Sequence, residues 1–169
     1  YTVISQLIYE IVRVLGIFER RGALVGAVAA AFVSQVFYEI FDQLGPQLKW
    51  WAWNPANEVN QPMLGSVPMN SMWVFASVSF GVLVWLVVKL FGARPGRRPL
   101  SGGQVAWRTV LAGVLTPVLM VVLAAPTRVD VGASGSHDLQ RTLVIVLLAL
   151  LWTAGVVLIV EAAQRTRFG

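Results

Sequence analysis

Four stretches of this chain run for twenty or more residues with almost no charge, and nothing else in the sequence constrains the fold as much. They are Gly22 to Leu44, Met69 to Phe91, Val105 to Ala125 and Thr142 to Ala163. As helix, each is long enough to cross the roughly 30 Å hydrocarbon core of a bilayer, which takes about twenty apolar residues. Tyr1 to Phe18 is apolar too, but shorter, and it carries Glu10 and Arg13. The chain opens at Tyr1 rather than at a methionine and its pattern is already helical there. The segment is therefore expected to be the second half of a truncated span, with an interfacial helix as the alternative. The expectation is an all-α, polytopic membrane helix bundle, one transmembrane domain over residues 1–169 with about five spans at 1–18, 22–44, 69–91, 105–125 and 142–163.

Composition excludes several function classes. Hydrophobic residues make up 57% of the chain and charged residues 12%, with mean hydropathy +0.71, far from the roughly 25% charge of a soluble domain. Net charge is +5, yet the thirteen Lys and Arg are scattered between apolar runs without forming a stripe, so no nucleic-acid partner is expected. The absence of cysteine rules out disulfides, thiol catalysis and cysteine-ligated metals. Asp130, His137 and Asp138 share the DVGASGSHD stretch, whose glycine and serine content reads as an exposed loop rather than a metal site. No metal or other cofactor is expected.

Charge in the connections sets an orientation. Arg20 and Arg21, the segment bearing Arg94, Arg97 and Arg98 with its flanks Lys89 and Arg108, and the tail with Arg165 and Arg167 together hold nine of the thirteen basic residues. The connections 45–68 and 126–141 hold only Lys49, Arg128 and Arg141. Basic loops stay on the cytoplasmic side, and one orientation satisfies every loop. It puts 92–104 and the C-terminus inside, and the N-terminus with loops 45–68 and 126–141 outside, in a multi-pass protein of the cell membrane.

Polar residues at membrane depth each need a reason, because an ionisable group there costs at least a few kcal/mol. Gln6, Glu10 and Arg13 fall at i, i+4 and i+7, as do Gln35, Glu39 and Asp42. Each set makes one helical face, and both faces are expected to point into the bundle. Glu10 and Arg13, three apart, form an intramembrane ion pair. Glu39 and Asp42 have no basic neighbour in their helix; two carboxyls one turn apart suit one of them to donate a proton, and solvated carboxylates at a helix mouth are the alternative. Gly26, Ala27, Ala30, Ala31 and Ser34 predict close helix packing. Ser77, Ser79, Thr109 and Thr116 are expected to bond back to their own helices.

The outer loop is the compositional anomaly. Trp50, Trp51, Trp53 and Trp73 bracket it, as an interfacial aromatic belt would. Its interior, with Asn54-Pro55, Glu58 and Asn60-Gln61-Pro62, is stiffened by four prolines counted from Pro46 to Pro68 and is expected to roof the bundle near Glu39 and Asp42. Trp50, Trp51, Trp53, Asn54, Glu58, Asn70 and Trp73 are the candidate substrate- or partner-binding residues, and Glu39 and Asp42 the candidate catalytic pair.

Over residues 36–75, Glu39, Gly45-Pro46, an aromatic turn, the Pro62-x-x-Gly65-x-Val67-Pro68 stretch and a helix bearing Trp73 resemble the carotenoid-biosynthesis membrane protein family that includes the carotenoid 1,2-hydratases. That resemblance implies acid-catalysed addition of water to a terminal isoprenoid double bond. Glu39 or Asp42 would protonate the alkene and the tryptophan faces would stabilise the carbocation. The competing expectation is a non-catalytic subunit that packs against other membrane protein subunits and presents the proline-rich loop to a partner. An ion or solute pathway along Glu10, Arg13 and Glu39 ranks third. In every case membrane lipids are the immediate surroundings.

Overall fold

The computed structural model describes residues 2–92, 99–128 and 137–168. Arg94, Arg97, Arg98 and Asp130 lie outside the described residues. Five helices build an all-α bundle: α1 (Thr2–Val14), α2 (Ile17–Gln47), α3 (Met69–Phe91), α4 (Gly102–Ala124) and α5 (Asp138–Phe168). A two-stranded antiparallel ribbon, β1 (Met63–Leu64) and β2 (Val67–Pro68), sits in the α2–α3 connection, with Met63 opposite Pro68 and Leu64 opposite Val67. Helices α2 to α5 are long and apolar enough to cross a membrane, so the chain is a helical membrane protein.

Helix α1 is a short piece of about 20 Å over thirteen residues, as expected of this segment. Its polar stripe, however, faces the other way: Gln6 and Arg13 are exposed and Glu10 is half-buried, so this face points out of the bundle. The opposite stripe explains why. Ile4, Ile8 and Val12 recur at i, i+4 and i+8, and Ile8 and Val12 are wholly buried in the central cluster. Ile8 and Val12 pack against the bundle, and the Glu10–Arg13 pair stays out of its interior, where burying two charges would cost several kcal/mol. The second face behaves as expected, with Gln35 and Asp42 buried and Glu39 half-buried.

Helix α2 is the central post, packed by α1, α3 and α5, whereas α4 packs mainly on α3. Small side chains make this possible. Ala27, Ala29, Ala30 and Ala31 are buried, and Gly81 of α3 lies against Ala31. Phe32 lies over Gly155 of α5 and meets Trp152 edge-on at 5.5 Å between ring centroids. In α4 only 11% of the most apolar window is buried, against 50% in α2 and in α3, so Val110, Val114, Val118 and Val121 form a face fit for lipid. The start of α4 is set locally by a capping box: Ser101 Oγ accepts the Gln104 N–H, and Gln104 Oε1 accepts the Ser101 N–H. Thr109, Thr116 and Ser79 bond back to carbonyls four residues earlier, as expected.

The connections gather into two ends of opposite character. At one end Arg21 meets Glu161, and Arg108 donates to the Leu90 carbonyl. At the other, Thr127 donates to Asn70 Oδ1 at 3.0 Å and Arg141 pairs with Glu58. Arg20, Arg21, Lys89, Arg108 and Arg165 thus collect at the basic end, and Glu39, Asp42, Glu58 and the tryptophan loop at the other.

Candidate active site at the tryptophan end

The site begins with the way α2 stops. Trp50 N–H bonds the Gly45 carbonyl at 2.9 Å and Lys49 N–H bonds the Pro46 carbonyl at 3.1 Å, a Schellman termination with Lys49 at φ 58° in the position usually taken by glycine. This reverses the chain at once. Trp51 comes back over Gly45, where any Cβ would run into its indole, so the glycine is required by close approach. Trp50 and Trp51 then lie with ring centroids 6.1 Å apart.

Tyr38, Phe41 and Asp42 of α2, with Trp50, Trp51, Trp53 and Ile4 of α1, line a cavity of about 490 Å³. Asp42 is the carboxylate in this aromatic wall and is only 6% exposed. Among the described residues no cation and no hydrogen-bond donor is recorded at its oxygens. Trp53 Nε1 is buried and has no partner among the described residues either.

Glu39, one turn away, has a different task. Its Oε2 accepts Gln43 Nε2 at 3.1 Å, and the same Gln43 nitrogen donates to the Leu64 carbonyl at 2.9 Å. Gln43 Oε1 accepts the Ser66 N–H at 3.0 Å. Glu39 therefore sits in the seam between α2 and the ribbon, whose two-residue turn Gly65–Ser66 needs the positive φ of 61° found at Gly65. Gln43 escaped the sequence reading. The available signal was its place one turn beyond Glu39, on the face that carries Gln35.

The remaining predicted residues are dispersed. Asn54 Oδ1 accepts the Ala56 N–H at 3.0 Å and its carbonyl accepts Asn60 Nδ2 at 2.9 Å, so Asn54 shapes the loop. Glu58 ties the loop to α5 through Arg141 at 2.5 Å, and Gln140 donates to the Gln61 carbonyl nearby at 3.3 Å. Asn70 holds Thr127, and Trp73 Nε1 donates to the Leu123 carbonyl at 3.3 Å, joining α3 to α4. Glu10 and Arg13 pair at 3.3 Å on the outward face of α1. Of the nine loop and carboxylate candidates, Asp42, Trp50, Trp51 and Trp53 share one cavity.

A second cavity, of about 320 Å³, opens on the side of the bundle, walled by residues of α2, α3, α4 and α5 that include Ala27, Trp73, Gly81, Trp85 and Leu123. Ser77 is its polar member. Its Oγ lies 2.8 Å from both Gln35 Oε1 and the Met72 carbonyl, inside a π-helical stretch, Met72–Val78. Such stretches widen a helix and are frequent at functional sites. No family model matches the chain, and neither does any curated protein or solved structure.

Proposed function

We propose that this is a multi-pass protein of the cell membrane, basic end inward, that hydrates the terminal double bond of an isoprenoid or carotenoid-like lipid at the Asp42 cavity. The observation that carries this reading is a buried carboxyl that no described residue pairs with, set among three tryptophans and Tyr38. A carboxyl so placed has both oxygens available to substrate. Its proton passes to the inner =CH– carbon of the alkene, whose π pair forms the new C–H bond and leaves a tertiary carbocation at the terminal dimethyl carbon. The indole faces stabilise that cation through their quadrupoles. Water adds its lone pair to the cationic carbon and gives a proton to the Asp42 carboxylate, so the product is a tertiary alcohol and the acid is restored. Trp53 Nε1–H is a donor available to orient that water. Glu39, bonded to Gln43, positions the roof.

The test is product formation in vesicles carrying a linear isoprenoid with a terminal dimethyl alkene, with ¹⁸O water as label. Wild-type protein is expected to yield the labelled tertiary alcohol, and Asp42→Asn to lose at least about a hundredfold in turnover, the usual contribution of a general acid. No alcohol from the wild type, or full turnover by Asp42→Asn, overturns the reading.

A different observation favours a second reading, a subunit of a larger membrane complex. The Gln6, Glu10 and Arg13 face of α1 and most of α4 are left uncovered within this chain. Purification in mild detergent separates the two: stoichiometric membrane partners support the subunit, and an extractable isoprenoid supports the enzyme.

A further inference from the structure

The basic end holds a pocket that the Asp42 site does not use, roughly 30 Å away along α2. Its origin is local. Gly16 at φ 63° and Gly22 at φ 82°, ψ 173° flank the short turn Ile17–Arg21, and the second of these conformations is open only to glycine. The chain thus bends twice, and Arg20 and Arg21 are held at the bundle end rather than along the shaft of α2. Arg20 donates to the Leu15 carbonyl, which lays its guanidinium against Gly16.

Ile17, Arg20, Arg21, Leu158, Glu161, Ala162 and Arg165 line a cavity of about 230 Å³ between this turn and the last turns of α5. Glu161 sits between two cations: Arg21 Nη2 reaches its Oε2 at 2.5 Å and Arg165 Nη2 its Oε1 at 2.6 Å. Three guanidiniums face one carboxylate, leaving an excess of two positive charges. The pocket is also amphipathic. The side chains of Arg21 and Arg165 are 45% and 63% exposed, whereas Ile17 and Ala162 are buried. Cations at the rim and hydrocarbon beneath match a phosphate joined to an acyl glycerol better than a free ion, since guanidinium forks take phosphate oxygens in pairs.

We propose that this pocket binds the phosphate of an anionic membrane phospholipid, with Arg21 and Arg165 as its direct ligands and Glu161 as the internal anion that pre-sets them. Basic pockets between helices at the cytoplasmic surface are suited to such headgroups. Glu161 gives the proposal a sign that a purely structural ion pair lacks. Removing its charge frees two guanidiniums and strengthens lipid binding, although it breaks two salt bridges.

The experiment uses the full chain in phosphatidylcholine vesicles with a trace of spin-labelled phosphatidylglycerol, reading the immobilised fraction against labelled phosphatidylcholine. Wild type is expected to prefer phosphatidylglycerol by about tenfold, the scale of one charge-assisted bidentate contact. Arg165→Gln lowers the preference several-fold, Glu161→Gln raises it, and Lys89→Gln, which removes an exposed charge at the same end, leaves it near wild type. Equal losses in Lys89→Gln and Arg165→Gln would show a diffuse surface potential and overturn the pocket. A fall in Glu161→Gln overturns it as well, by showing that the residues act only as an ion-pair network. Displacement of the lipid by millimolar inorganic phosphate overturns the lipid as the source of the phosphate.

Discussion

Gln43 Oε1 accepts the Ser66 backbone N–H at 3.0 Å, so a single side chain near the end of α2 holds the turn of the β1–β2 ribbon. Its amide nitrogen binds the Leu64 carbonyl on one side and Glu39 on the other. This amide ties the ribbon to α2, as the Glu58–Arg141 pair ties the loop to α5.

Gln43→Ala removes all three contacts. It is expected to cost about 1–3 kcal/mol, since it leaves Glu39 without its donor as well as losing the bonds to the ribbon. The measurement is the melting temperature in detergent together with the rate of proteolysis within 48–68. Unchanged cleavage would show that the ribbon is held by other means.

Gly45→Leu places a side chain where the Trp51 indole lies. The ring must leave the helix and the Asp42 cavity loses one wall. Tryptophan emission should shift to the red and acrylamide quenching should rise. Turnover in the hydration assay should fall with them, while α2 itself stays helical by circular dichroism.

Lys49 adopts φ 58°, which costs a non-glycine residue about 1 kcal/mol. Lys49→Gly keeps the Schellman termination and relieves that cost. A rise in melting temperature of a few degrees is expected, and a fall would show that the lysine side chain supplies more than the strain removes.

Gln35 and Ser77 pair in the bundle interior at 2.8 Å, both wholly buried. Ser77→Ala leaves the buried Gln35 Oε1 without its donor and is expected to cost about 1–3 kcal/mol. The double variant Gln35→Leu with Ser77→Ala removes both polar groups and should cost less than the sum of the single changes by about 1 kcal/mol or more. Additive losses in a double-mutant cycle would deny the coupling.

Much of the bundle was legible from residues taken one stretch at a time. Apolar runs located α2 to α5 within a few residues, the alanine and glycine positions of α2 foretold its close neighbours, and the inward face of Gln35, Glu39 and Asp42 followed from helical spacing. The face of α1 did not follow, because its apolar and polar stripes are equally regular and the sequence alone does not say which one meets α2. The roles of Glu39 and Asp42 were likewise indistinguishable. They lie three residues apart on one helix, and a rotation of about 60° between them sends one to the ribbon and the other to the tryptophan cavity.

What the sequence by itself determined is the membrane character of the chain, its helices and the concentration of basic residues at one of its two ends. These depend on quantities summed over about twenty residues, since a backbone in hydrocarbon must pair within its own helix. What only the tertiary structure decided is which polar groups meet: Gln43 with the ribbon, Asp42 with Trp51 and Trp53, Glu161 with Arg21 and Arg165. Those meetings depend on where a returning chain places single atoms. A termination such as that at Lys49, or a bend such as that at Gly22, moves them by a whole helical face while leaving every local pattern unchanged.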